Sequence, residues 1–103
     1  MKRHELREII LGGESSTVEF KRKFTTTEKI AREIIAFANT TGGYLLIGVD
    51  DDGTIVGVDS EKEQVGQIEV ATNAIVPPLE VAIEIVEIEY RDVVVVNVPN
   101  SDR

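Results

Sequence analysis

Cysteine is absent from all 103 residues, and histidine occurs once, at position 4. The first absence excludes disulfides, thiolate zinc sites, iron–sulfur clusters and thiol nucleophiles, and the single His4 excludes a histidine-rich metal site. Long apolar runs are also missing. No stretch approaches the roughly 18 residues that cross a bilayer, and Glu5 and Glu8 interrupt the opening MKRHELREII, where a secretory signal needs a continuous apolar segment. No membrane partner is expected, and the expected compartment is the cytoplasm. Carboxylates, hydroxyls, lysines and arginines are left to carry any chemistry.

What is present is an ordinary globular composition, 42% hydrophobic and 29% charged, far from the depleted profile of disordered chains. The length suits one domain with one core and does not accommodate two. The formal net charge of −8 argues against a nucleic-acid partner for the chain as a whole. The charge is uneven, however: residues 1–49 hold eight Lys/Arg against six Asp/Glu, and residues 50–103 hold three against thirteen. A local basic patch is therefore compatible with an acidic protein.

Leu6, Ile9 and Ile10 recur at helical spacing before Gly12-Gly13, which predicts a short opening helix. Thr17 to Lys21 alternates, with Val18 and Phe20 on one face and Thr17, Glu19 and Lys21 on the other, as a strand does. Thr25-Thr26-Thr27-Glu28 matches a capping box that opens a helix with Ile30, Ile34, Phe37 and Ala38 as its apolar stripe, ended by Gly42-Gly43. Tyr44 to Val49 is apolar on both faces and reads as a central strand. Asp52-Gly53 before Thr54–Val58 reads as a hairpin turn. Ser60 and Glu63 form a second capping box for a helix with Val65, Ile68, Ala71 and Ile75 inward, closed by Pro77-Pro78. Two strands, roughly Leu79–Tyr90 and Val93–Pro99, finish the chain around a turn at Arg91-Asp92. The apolar parity switches between Ile85 and Val86, which predicts a bulge there. The fold expected is α+β, a mixed sheet with packed helices in a single domain.

The glycine pairs do not make a phosphate loop, because Gly42-Gly43 follows a helix and precedes a strand. Asp50-Asp51-Asp52 lacks the alternate spacing and distal glutamate of a calcium loop. The informative cluster is Glu14, Glu19, Lys21, Arg22 and Lys23, joined by Asp50 and Asp51 at the end of another strand. Three converging carboxylates can hold Mg²⁺ or Mn²⁺, ions that activate water in phosphodiester cleavage, and adjacent Lys21, Arg22 and Lys23 can receive the phosphates. Strand-end carboxylates are otherwise simply solvated, and spacing alone leaves both readings open. Alternation places Lys21 beside Glu19 and turns Arg22 away, so Lys21 and Lys23 are expected to contribute most.

Two segments, Glu14-Ser15-Ser16-Thr17-Val18-Glu19-Phe20-Lys21-Arg22-Lys23 and Ala36-Phe37-Ala38-Asn39-Thr40-Thr41-Gly42-Gly43-Tyr44-Leu45-Leu46-Ile47-Gly48-Val49-Asp50-Asp51-Asp52-Gly53, followed by Val56-Gly57, resemble the Schlafen-type AlbA domain. The resemblance covers residues 14–57 and implies an AlbA-like fold over residues 1–103. Similar domains occur in bacterial and archaeal proteins described as transcriptional regulators, often ahead of a winged helix. The function it implies first is a nucleic-acid-binding module, for DNA or RNA. Related vertebrate domains are endoribonucleases with three metal-binding carboxylates, which would fall here on Glu14, Glu19 and Asp51 as catalytic and Mg²⁺- or Mn²⁺-binding residues. A third implication is an assembly or ligand-sensing module. The older label of a divergent ATP-binding domain has no Walker motif behind it. Vertebrate nucleases join two such lobes into a basic cleft, so a single lobe is expected to form a two-fold homodimer. The resemblance also implies further structure after Asn100-Ser101-Asp102-Arg103, as in an N-terminal piece of a longer protein.

Overall fold

The computed structural model describes residues 1–101; Asp102 and Arg103, where continuation of the chain is expected, lie outside the described residues. The element order is α1 (Arg3–Gly12), β1 (Val18–Lys21), α2 (Thr27–Ala38), β2 (Gly43–Ile47), α3 (Glu61–Asn73), β3 (Ala82–Ile88) and β4 (Arg91–Val98). The strands form one mixed sheet in the order β1-β2-β4-β3, with β1 parallel to β2 and the other pairs antiparallel. The α+β class and mixed sheet expected from the sequence are what is found. No helix among the described residues is long and apolar enough to cross a membrane.

Alternation on the two central strands builds two cores at once. On one face, Leu45 and Ile47 of β2 and Val94, Val96 and Val98 of β4 pack under α2 and α3, against Ile30, Ile34, Phe37, Ile68 and Ala71. On the other, Phe20, Leu46, Val93, Val95, Val86 and Ile88 pack under α1 through Leu6 and Ile10. The end of α2 lies tight on the start of β2: a Cβ on Gly43 would stand 2.6 Å from the Thr17 carbonyl and 2.7 Å from the Phe37 ring. Gly42, at φ +73, makes the left-handed turn between them.

Several local expectations shift. The cap of α2 is Thr26, one residue later than expected, whose Oγ1 accepts the Lys29 amide at 3.1 Å. Ser60 caps α3 as expected, through the Glu63 amide. That helix ends at Asn73, ahead of Pro77-Pro78. The turn after Asp50 forms, with the Gly53 amide on the Asp50 carbonyl at 2.8 Å, but the returning arm is no strand and makes one bridge, Val49 to Ile55.

No bulge interrupts β3: its register with β4 runs unbroken from Ala82↔Asn97 to Ile88↔Arg91. Both parities are apolar because the helices cover different parts of the two faces. Ile83 packs beside α3, whereas Val86 and Ile88 lie under α1. The hairpin turn falls on Glu89-Tyr90, at φ 53 and 62, and not on Arg91-Asp92. This register sets Val86 against Val93, Ile85 against Val94 and Ile83 against Val96. A turn two residues later would set Val86 against Asn97. Cross-strand apolar pairing thus overrides local turn preference.

Left-handed backbone at two non-glycine residues is unfavourable, and Asn-Gly is the pair such a two-residue turn prefers. Replacing Glu89-Tyr90 by Asn-Gly is therefore expected to stabilise the fold by about 1 kcal/mol, raising the melting temperature by roughly 4–8 °C in thermal denaturation.

Candidate functional site

The candidate site begins with a parity argument on β1. Phe20 points into the α1-side core, so Glu19 and Lys21 point to the opposite face, where α2 lies. That face is apolar on β2 and β4 but charged on this edge strand, and α2 answers with Glu33. The Lys21 ammonium sits 2.7 Å from Glu33 Oε1 and 3.6 Å from Glu19 Oε1, with only 12% of its side chain exposed. The other Glu33 oxygen, Oε2, is buried without a hydrogen-bond partner among the described residues. Burial pulls the Lys21 pKa down, but the hydrogen bond and charge of Glu33, with the charge of Glu19, outweigh it and leave the pKa raised. Glu19 is also raised, first by burial and then by the Glu14 carboxyl beside it, with Glu33 adding and Lys21 opposing.

Glu14 has a second task. Its Oε2 accepts the outward Phe20 amide at 3.0 Å, while Ser15 folds back so that its amide reaches the Val18 carbonyl at 3.0 Å and its carbonyl accepts the Val18 amide at 3.4 Å. The outer edge of β1 is thereby sealed by the chain's own residues 14 and 15. Between this edge and α2 lies a cleft of about 370 Å³, lined by Ser15, Ser16, Glu19, Glu33, Phe37 and Thr40 among others. Asp51 is not part of it. That residue is exposed on the turn after β2, with its amide on Asp50 Oδ1 at 3.1 Å.

The three basic residues divide. Lys21 is committed to Glu33 and Glu19, whereas Arg22 and Lys23 are exposed. Arg22 Nη1 meets Asp50 Oδ2 at 2.8 Å, with 64% of the arginine side chain exposed, and Lys23 makes no ion pair among the described residues. The Phe24 amide donates to Gln64 Oε1 at 3.1 Å, tying this loop to α3. Arg22 and Lys23 consequently line a second cleft, about 380 Å³, with Val56–Ser60, Glu63 and Gln64. Sequence reasoning missed Glu33 and Gln64. Glu33 stands next to Ile34 and four residues before Phe37, at the rim of the apolar stripe of α2, and that position was its one signal.

Residues 14–103 match the family model described as Schlafen, AlbA_2. The chain belongs to that family. Among solved structures, this Schlafen AlbA_2 domain is similar to the N-terminal domain of a Nitrosomonas europaea protein named for its relation to the ATP-dependent DNA helicase RecG. The two share 24% identity at a TM-score of 0.78, over 99% of this chain and 75% of that one. It is also similar to a Corynebacterium diphtheriae protein, at 19% identity and a TM-score of 0.64, over 96% of this chain and 22% of the other. At these identities the likeness is one of fold. The chain spans about a fifth of the second protein.

Against this geometry, the three carboxylates that the Schlafen AlbA_2 resemblance assigns to Mg²⁺ or Mn²⁺ are brought together in part. Glu14 and Glu19 meet, but Asp51 stands on a separate turn, and among the described residues no group of three or more Asp, Glu, His or Cys is placed to hold a metal ion. The cation that Glu19 and Glu33 share is the Lys21 ammonium. This arrangement does not fit a resident ion.

Removing the ammonium leaves Glu33 half-buried beside Glu19 with no counter-charge, so Lys21→Met is expected to cost about 1–3 kcal/mol in urea denaturation at neutral pH. Adding Glu33→Gln to it should recover more than half of the loss. Glu19 has the opposite sign. With its folded pKa above the ordinary 4.5, the unfolded chain gives up this proton first, and the associated stability is lost as pH rises from 4.5 through the folded value. Glu19→Gln should therefore raise the melting temperature at pH 7 by only about 1–3 °C, small because the side chain is 37% exposed. The gain should fade below pH 4.5 in a pH series of melting curves.

Proposed function

We propose that this domain binds nucleic acid through its phosphate backbone, with Arg22 and Lys23 as the contacting residues, as one module of a larger regulatory protein. The observation that carries this reading is the division of the basic cluster. Lys21 is held inside by two carboxylates, while Arg22 and Lys23 stand exposed at one cleft beside the start of α3. Lys29, four residues before Glu33 on the same flank of α2, is exposed as well. The surface pair between Arg22 and Asp50 is weak enough to be exchanged for a phosphate. Family membership and the RecG-related fold neighbour support an association with nucleic acid. The charge asymmetry also supports it, since the Lys/Arg excess lies in residues 1–49.

Contacts of this kind position without reading bases. Fluorescence anisotropy with duplex DNA and with structured RNA should show affinity falling steeply with salt and depending little on sequence. Arg22→Ala with Lys23→Ala should weaken both complexes and flatten the log–log salt slope by about 1 per contact removed. Arg7→Ala, on the helix of the opposite face, should leave slope and affinity unchanged. An unaltered slope in the double variant would remove the cleft from the binding site.

A further inference from the structure

The sheet brings a second feature to the cleft of Arg22 and Lys23. β1 and β2 run parallel with Lys21 beside Ile47, and β4 runs against them with Val94 beside Ile47. Arg22, Gly48 and the turn between β3 and β4 therefore all leave the sheet at one end. β4 starts three residues before Val94, at Arg91, so the turn projects past the end of β2 by roughly 10 Å, at about 3.3 Å per residue. Val56, Gly57 and Val58 fill the space beside this projection. The Val58 amide donates to the Asp92 carbonyl at 2.9 Å, and Arg91 Nη1 donates to the Val56 carbonyl at 3.2 Å. The same three residues line the cleft with Arg22 and Lys23. The wall of the cleft and the base of the turn are thus one hydrogen-bonded piece.

At the tip of the turn stands Tyr90, 100% exposed. Of the two tyrosines and three phenylalanines, it is the one that is exposed. Its hydroxyl makes no hydrogen bond among the described residues, and its backbone is left-handed at φ 62. The side chain therefore adds nothing to either core, and the residue strains the turn that carries it. An aromatic ring that the fold neither buries nor needs is free to stack on another π-face. The carboxylates nearby act on charge: Asp59 and Glu63 also line the cleft, Asp50 pairs with Arg22, and Glu89 precedes Tyr90. They repel a second row of phosphates, which a duplex brings and a single strand does not. We propose that the site takes single-stranded nucleic acid, with Arg22 and Lys23 on its phosphates and the Tyr90 ring stacked on an unpaired base. The assignment rests on the phosphate-backbone reading and specifies the strand form. Across the sheet, two and a half strand spacings, about 12 Å, separate the end of β1 from the turn, a span of a few nucleotides. Arg91, exposed and tied to the Val56 carbonyl, adds positive charge between the two contacts. Stacking tolerates any sequence, because every base has a π-face.

The test uses the whole chain and three probes: a short thymidine strand, an abasic strand with the same number of phosphates, and a duplex of that length. In anisotropy titrations the thymidine strand should bind most tightly. Tyr90→Ala should weaken that complex by about 5- to 150-fold, the worth of one stacked base, with the salt slope and the abasic complex unchanged. Tyr90→Trp should keep the affinity. Tyr90→Gly relieves the left-handed backbone, so it should raise the melting temperature while losing the same affinity, which separates stacking from folding. The chain has no tryptophan and two tyrosines. In Tyr44→Phe the emission therefore comes from Tyr90 alone, and the thymidine strand should quench it while the abasic strand does not. Four results would each overturn the stacking and leave the phosphate contacts standing: thymidine-strand affinity of Tyr90→Ala within about twofold of native, equal losses on the abasic strand, native preference for the duplex, or Tyr90 emission unquenched by bound thymidine strand. An unaltered salt slope in the Arg22 and Lys23 double variant, or no binding of any probe by the native chain, would overturn both.

Discussion

Everything in this domain follows from the requirement that its two central strands be covered on both faces. β2 and β4 alternate apolar residues to both sides, and Leu45, Leu46, Ile47, Val93, Val94 and Val96 are all fully buried. A four-stranded sheet of this kind needs helices above and below. The chain supplies α2 and α3 on one side and a lone α1 on the other, so cover is complete at the centre and runs out toward the edges.

The edges show what happens where cover ends. On β1 the face toward α2 is charged, and the resulting carboxylates are held apart and stabilised by one ammonium, that of Lys21. A half-buried ammonium between carboxylates is a demanding arrangement, with each charge depending on the others for its counter-charge. It explains why a residue that reads as a phosphate ligand in sequence serves the interior in structure. On β3 the same loss of cover leaves apolar side chains half-exposed and main-chain groups open, with glutamates as the guard.

Much of this was legible from residue patterns. The stripes of α2 and α3, the alternation of β1 and the two-sided character of β2 are local signals, and each element appears within a few residues of where its pattern placed it. What was not legible depended on pairing between distant segments. The turn at Glu89-Tyr90 carries no turn-forming residue and is set by the match of Val86, Ile85 and Ile83 with Val93, Val94 and Val96. The apparent bulge came from reading one strand's parity without knowing that two helices share its faces. In the candidate site, the nearness of Glu14 and Glu19 was legible because only four residues of loop and strand separate them. Glu33 was not, because only the return of α2 across the sheet brings it to Lys21.

The opening helix has a consequence for what counts as this domain. The family match begins at Glu14, after α1 has ended. Leu6 and Ile10 nevertheless close the whole second core over Phe20, Leu46, Val86, Ile88, Val93 and Val95. A polypeptide trimmed to the region recognisable by similarity would present that apolar layer to water. The folding unit is therefore longer than the region that the family match covers, and one whole face of its sheet is roofed by a segment lying outside that match.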